Sequence, residues 1–449
     1  MRTLVWFRGK DLRVSDHWPL VDAAKAGEVI PLFVVDPYFF SPERAAELPH
    51  RMQFLVESLL ELAESIEALG SRLVFVRGKA IEVVPELARK WKVDRVVAHR
   101  WTEPVGRKRD EIVTKALGDI PFELHEGETL AAPHQVMTGA GTPFSVFGPY
   151  SRAFAKAVTV EKPRRAPRAL PPHPHKSEKA PSLAEIGIEP NSRLTPGGEK
   201  AAHARLRKFV SGPGGQYEVG RDLMGEEGTS RLSQDLKFGV LTPRQVWHAV
   251  EDGLAEHPRA RKTYLNELVW RELAYHVLFH HPQVLETTFR DKWSKFPWKK
   301  DEKGWQAWVD GTTGYPVVDA SARQLLATGF VHNRARMISA SFLTKHLLID
   351  YRRGEAHYLK FLTDGDWASN NLGWQWSAGC GVDAQPWFRV FNPILQGEKF
   401  DPEGTYVKTW LPELRDVPKK LIHKPYKKPV VEHEFARNRF LAVAKGHLG

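Results

Sequence analysis

The 449-residue chain contains a single cysteine, Cys380. One thiol excludes an internal disulfide framework and a zinc site built from several cysteines, so no metal ligand set is assigned. A lone cysteine reads as a small buried hydrophobe and fits a reducing cytosol. The sequence also has no apolar run long enough to span a bilayer. Its first residues, Met1-Arg-Thr-Leu-Val-Trp-Phe, lack the long apolar core and small-residue cleavage site of a signal peptide. A cytoplasmic protein without a membrane partner, by default a monomer, is the expectation. No internal repeat is visible, and no Gly-x-Gly-x-x-Gly turn marks a dinucleotide-binding strand and helix.

Positive charge and tryptophan are abundant. The formal net charge is +11, which points to an acidic partner, nucleic acid first. Fifteen tryptophans are present, most of them in the second half. Short apolar runs at 3–7, 29–35, 73–76, 93–98 and 122–124 read as strands. They alternate with helical patterns at 51–69, 81–91 and 106–117, which predicts a doubly wound parallel sheet over residues 1–130. Residues 131–199 read as a connector, its stretch from 161 onward so proline-rich that helix and sheet interiors are excluded. A solvated linker is the expectation there. From 200 to 449 the patterns are helical: 199–210, 242–257, 260–281, 319–350, 354–362 and 365–376, an all-α module.

Residues 364–376, Asp-Gly-Asp-Trp-Ala-Ser-Asn-Asn-Leu-Gly-Trp-Gln-Trp, carry the densest chemistry. Acids and amides beside indoles suit a pocket for a flat ligand with a polar rim. The alternative is a helix N-terminus capped by Asp366 with the tryptophans as core. Gly228-Thr229-Ser230-Arg231-Leu232-Ser233, after Tyr217 and Arg221, can cradle a pyrophosphate or can be a turn. Glu267, Trp270 and Arg271 fall on one helical face, where they can form a salt bridge over core or receive a flat base. Arg334 and Arg336 sit two apart, so one can reach the 364–366 carboxylates while the other points elsewhere.

Together with Gly314-Tyr-Pro-Val-Val-Asp319, Phe391-Asn-Pro and Gln396-Gly-Glu-Lys-Phe-Asp401, these segments resemble the photolyase/cryptochrome family along the whole chain, closest to the class I cyclobutane pyrimidine dimer photolyases. The resemblance implies light-dependent repair of ultraviolet-damaged DNA by reduced FAD, with a cryptochrome-like blue-light sensor as the alternative. Tyr217, Thr229, Ser230, Arg231, Leu232, Ser233 and Tyr264 would hold FAD, with Arg271 and an Arg336–Asp364 pair beside it. Asp366 would bond the ring edge, and Asn370 would face flavin N5, where an amide suits reduced flavin. Glu267, Trp270, Asn333, Met337 and Trp376 would receive the extruded dimer, an extrusion made easier because fused pyrimidines stack poorly. Glu267, Trp270, Arg271 and Asn333 would thereby also touch DNA, along with Arg221, Arg334 and Gln396.

Three departures from the family pattern stand out. The electron chain to the flavin normally has three tryptophans; Trp374 and Trp298 match, but the middle position is Tyr351. The folate-binding Asn-Glu pair is replaced by Val105 and Gly106, and the acid of deazaflavin-binding relatives by Trp101, so the antenna chromophore is left open. The two histidines of the six–four photolyases align with Asn333 and Met337, which argues against six–four repair.

Overall fold

In Arg2–Phe7 (β1), Leu4 and Trp6 bury on one face while Val5 and Phe7 bury on the other. Two-sided burial is the mark of a central parallel strand. The structure, a computed structural model, describes residues 1–448 and places β1 at the middle of an all-parallel sheet. Its other strands are Glu28–Val35 (β2), Val74–Arg77 (β3), Arg95–His99 (β4) and Phe122–His125 (β5), in the order β3-β2-β1-β4-β5. The chain winds outward from β1 in both directions, which is the doubly wound arrangement.

The connector departs from a solvated linker. Leu170 and Ile186 are 2% and 1% exposed, and Glu178 donates its backbone N–H to Phe75 of β3 at 2.9 Å. His175 stacks on Trp91 at 4.2 Å, and Arg164 lies over Trp18 at 3.7 Å while pairing with Asp22. The connector holds one helix, Phe147–Ala157; from 161 onward proline keeps it out of regular structure, yet its apolar side chains still find cover on the sheet layer. Its basic groups are partly spent on that docking.

The single helix expected over 319–350 is broken. Pro316–Thr328 ends at Gly329, whose φ of +61° gives the left-handed turn, and Asn333–Ser341 then restarts with His332 as N-cap. A π turn, Phe342–His346, follows. The break lets the Gly329 carbonyl accept the Thr363 N–H at 2.8 Å, tying the turn to the 363–366 loop.

Helix Pro49–Ala68 of the first layer clamps the same loop from the other side. His50 Nδ1 bonds the Phe361 carbonyl at 2.7 Å, and Arg51 donates to the carbonyls of Gly365, at 3.2 Å, and Leu359. Glu272 accepts the N–H groups of Leu130 (2.9 Å) and Ala131, which pins the start of the connector to helix Pro258–His280. The sheet layer thus fixes the helical layer where the carboxylates emerge.

Candidate active site

Asp366 is both things the sequence allowed. It caps helix Trp367–Ala378 by accepting the Ser369 N–H at 2.8 Å, and its other oxygen accepts the Tyr275 hydroxyl at 2.6 Å on a cavity wall. Burial alone would raise its carboxyl, but the charges of Lys10 and Arg271 outweigh that and hold it below the usual range. Asp364 pairs with Arg336 at 2.8 Å, while its Oδ1 is buried with no partner. Asn370 donates its amide N–H to the Glu355 carbonyl at 3.1 Å, which leaves the amide oxygen for the cavity.

The cavity, about 350 Å³, lies between helices Pro258–His280, Asn333–Ser341 and Trp367–Ala378. On the first of these Tyr264, Glu267, Leu268, Arg271 and Tyr275 line it, the i, i+3, i+4, i+7, i+11 pattern of one helical face. Trp270 does not line it; its position is about 100° round the helix from Arg271, and its ring lies flat on Phe147 at 3.8 Å. From the other helices come Asn333, Arg336, Met337, Asn370 and Trp374, and from the loop that leads into the last helix come Asp364 and Asp366. Trp376 is half-buried and outside the lining.

Tyr217, Ser230, Leu232 and Ser233 close one end, with the Tyr264 hydroxyl donating to Ser230 Oγ at 2.9 Å. Arg231 takes a φ of +51°, a rare conformation for a non-glycine residue that turns the chain into helix Ser233–Phe238. Thr229 and Arg231 flank this end without lining it. Lys237, which the sequence reading missed, lies between this cavity and a second one. Burial brings its ammonium down to about 8, and no carboxylate pairs with it. Tyr275 was also missed, although the 264, 267, 271 spacing continues to it.

At the mouth, Arg221 bonds Glu267 at 2.6 Å and Arg334 bonds Asp222 at 2.7 Å, with its guanidinium over the Phe400 ring. Asn333 is exposed beside Met337, and Gln396 is half-buried on helix Pro393–Phe400. Tyr351 is fully buried and Trp298 half-buried against Phe296; neither lines the cavity.

The second cavity, about 920 Å³, opens at the carboxyl ends of β1 to β4, where ligands of doubly wound sheets bind. Trp6, Phe33, Phe40 and Trp101 wall it, with Arg8, Arg44, Arg51 and Arg109 among them. Trp101 and Gly106, two separate departures in the sequence, are one packing arrangement. A Cβ at position 106 would stand 2.6 Å from Trp101 Cβ, so the indole needs the glycine. Arg109 then stacks on Trp101 at 4.4 Å.

Asp11, His17 and His99 are buried together, each histidine held by a contact outside the trio. His17 Nδ1 accepts the Leu20 N–H at 3.0 Å and His99 Nε2 faces the Arg13 guanidinium at 3.4 Å. The other ring nitrogens face Asp11 Oδ2 at 3.7 and 3.6 Å, beyond hydrogen-bond length.

Residues 3–172 match the family model described as DNA photolyase, and residues 264–445 match the FAD binding domain of DNA photolyase. The deoxyribodipyrimidine photo-lyase of Thermus thermophilus is 42% identical over 98% of both chains. Among solved structures, a bacterial class III photolyase from Agrobacterium tumefaciens superposes with a TM-score of 0.92 at 37% identity, covering 100% of this chain and 98% of that one. A Synechocystis cryptochrome superposes with a TM-score of 0.90 at 30% identity, over 98% and 99% of the two chains.

Proposed function

This chain belongs to the DNA photolyase family and is an FAD-dependent enzyme of light-driven DNA repair, a deoxyribodipyrimidine photo-lyase, and we propose that the cavity beneath Glu267 holds FAD and receives the pyrimidine dimer at its mouth. One observation carries the reading. Arg336, Asp364, Asp366 and Asn370 line the same cavity whose rim is Glu267, Asn333 and Met337.

The residues present fit the cofactor. Asp364 Oδ1 is a buried acceptor without a partner, as expected of an atom that meets a ring N–H or a ribityl hydroxyl. Asn370 and Asp366 offer further acceptors, Arg271 and Lys237 supply positive charge, and Tyr217 to Ser233 offer hydroxyls and backbone amides at one end. Bound in its reduced form, FAD supplies the photo-excited electron that opens the cyclobutane ring and takes it back.

The chain's own residues do the placing. Arg221 orients the Glu267 carboxylate, which accepts from the N–H edge of the extruded bases. Met337 gives that site a polarisable wall beside Asn333. Trp270, braced on Phe147, and Trp376 pack against the flanking lesion, and Arg334 and Gln396 follow the strand. The basic surface draws in DNA phosphate. The working unit we propose is a monomer acting on DNA in the cytoplasm. The second cavity, with aromatic walls and four arginines, suits a flat anionic chromophore that feeds light energy to the first.

The cofactor assignment is tested by absorbance and flavin content. Native protein is expected to carry about one FAD per chain, and Arg336→Ala, which leaves Asp364 a buried unpaired charge, is expected to lose most of it. Full flavin content in that variant contradicts the placement.

A further inference from the structure

Trp374 lines the cavity and is 3% exposed. The rings packed on it are Tyr358, at a centroid distance of 5.2 Å, and Trp308, at 6.1 Å. Trp308 lies against Trp305 at 5.4 Å with ring planes 28° apart, and Trp305 is half-exposed. Three indoles in contact therefore lead from the cavity wall to solvent. Gly354 leaves room for the Trp374 ring, since a Cβ there would come within 2.2 Å of it. Tyr351 and Trp298 are not among the rings packed on Trp374.

Indole and phenol differ as electron relays. An oxidised indole keeps its N–H where the acceptor is too weak a base to take the proton, and Trp308 Nε1 donates to such an acceptor, the Ser339 carbonyl, at 3.2 Å. An oxidised phenol gives up its proton, so it needs a base within reach. The hydroxyl of Tyr351 is buried with no hydrogen-bond partner, and so is that of Tyr358. Burial also pushes the Tyr351 hydroxyl up, away from deprotonation. Around the indoles the charge is quiet. Arg353, 4.3 Å over Trp305, is matched by Glu302 at 2.8 Å. His357, which edges both indoles, is brought down to about 4 by burial and is neutral at pH 7.

We propose that Trp374, Trp308 and Trp305 form the electron-supply line to the cavity, in place of a route through Tyr351. The inference rests on the cavity holding FAD. An electron leaves Trp374 for photo-excited, oxidised FAD. Trp308 refills Trp374, Trp305 refills Trp308, and a thiol in solution refills Trp305. Each transfer moves one electron and leaves the indole N–H protons in place. The thiol is oxidised and loses its S–H proton to solvent, two such radicals coupling to a disulfide. Tunnelling falls steeply with distance, and this line has ring-to-ring contact at each step.

The test uses the full chain with its own FAD, oxidised, in blue light with dithiothreitol. The loss of oxidised-flavin absorbance gives the rate, and transient absorption and electron paramagnetic resonance identify the radical. Trp308→Phe is expected to slow photoreduction at least about tenfold, whereas Tyr351→Phe stays within about twofold of wild type. Trp305→Phe, at a half-exposed position that tolerates the change, serves as the second variant and is expected to shorten the lifetime of the separated charge. The radical is expected to be indolyl. Wild-type rates and lifetimes in both tryptophan variants at full FAD content, a slow Tyr351→Phe, or a tyrosyl radical would overturn the line and leave the cofactor site standing. Protein purified without FAD would overturn both.

Discussion

Arg221 donates to Glu267 across 2.6 Å at the cavity mouth, so the cation proposed to meet the DNA strand also aims the carboxylate proposed to meet the lesion. Both side chains are partly open to solvent, at 21% and 34%, which keeps the pair's own stability small. Its value lies in direction. Arg221→Ala is expected to weaken binding of dimer-containing DNA about tenfold and to reduce the slope of log K against log salt by about 1. Adding Glu267→Gln to Arg221→Ala should cost less than the sum of the two. Strict additivity in salt-titrated binding would mean that Arg221 acts on phosphate alone.

Glu355 offers a pH test of the wall behind Asn370. Burial pushes its carboxyl, ordinarily near 4.5, up to about 7, with the Asn371 amide at 2.9 Å offsetting part of that. A raised acid is stabilising while protonated, and that stability is lost as pH rises from the unfolded value through the folded one. Glu355→Gln imitates the protonated form. The variant and wild type should melt alike near pH 4, and the variant should be the more stable by about 3 kcal/mol above pH 8. Parallel melting curves across that range would show that Glu355 titrates normally.

Trp101 and Gly106 should be coupled. Gly106→Ala places a methyl inside the indole's space and is expected to cost about 1–3 kcal/mol. Trp101→Ala vacates that space, so the double variant should lose less stability than the sum of the two changes. Thermal melts of the four proteins measure the coupling, and additive losses would deny the contact.

Much of this was legible in the sequence. The parallel sheet followed from strand and helix alternation, and the helix bounds from capping residues such as Asp366. The spacing of Arg334 and Arg336 let one of them reach the 364–366 carboxylates, and the family resemblance named Arg336 and Asp364 as the pair that forms. What was not legible depends on contacts distant in sequence. The break at Gly329 serves a hydrogen bond to Thr363, which no local pattern reports. Trp270 and Arg271 are adjacent in sequence, but a turn of about 100° per residue gives one to Phe147 and the other to the cavity. Lys10 reaches the site's electrostatics from the far end of the chain, and only the fold brings it near Asp366. Trp101 and Gly106 were read as two departures because their packing is invisible in a string of letters.

Light-driven repair by the reduced protein tests the central claim most directly. Chemically reduced protein is mixed with an oligothymidine carrying cyclobutane dimers and illuminated with blue light, against a dark control, while thymine absorbance is followed. The account requires recovery in light only, with Glu267→Ala slower by about tenfold or more. No recovery with FAD bound and reduced would contradict it and would leave the fold serving a light sensor.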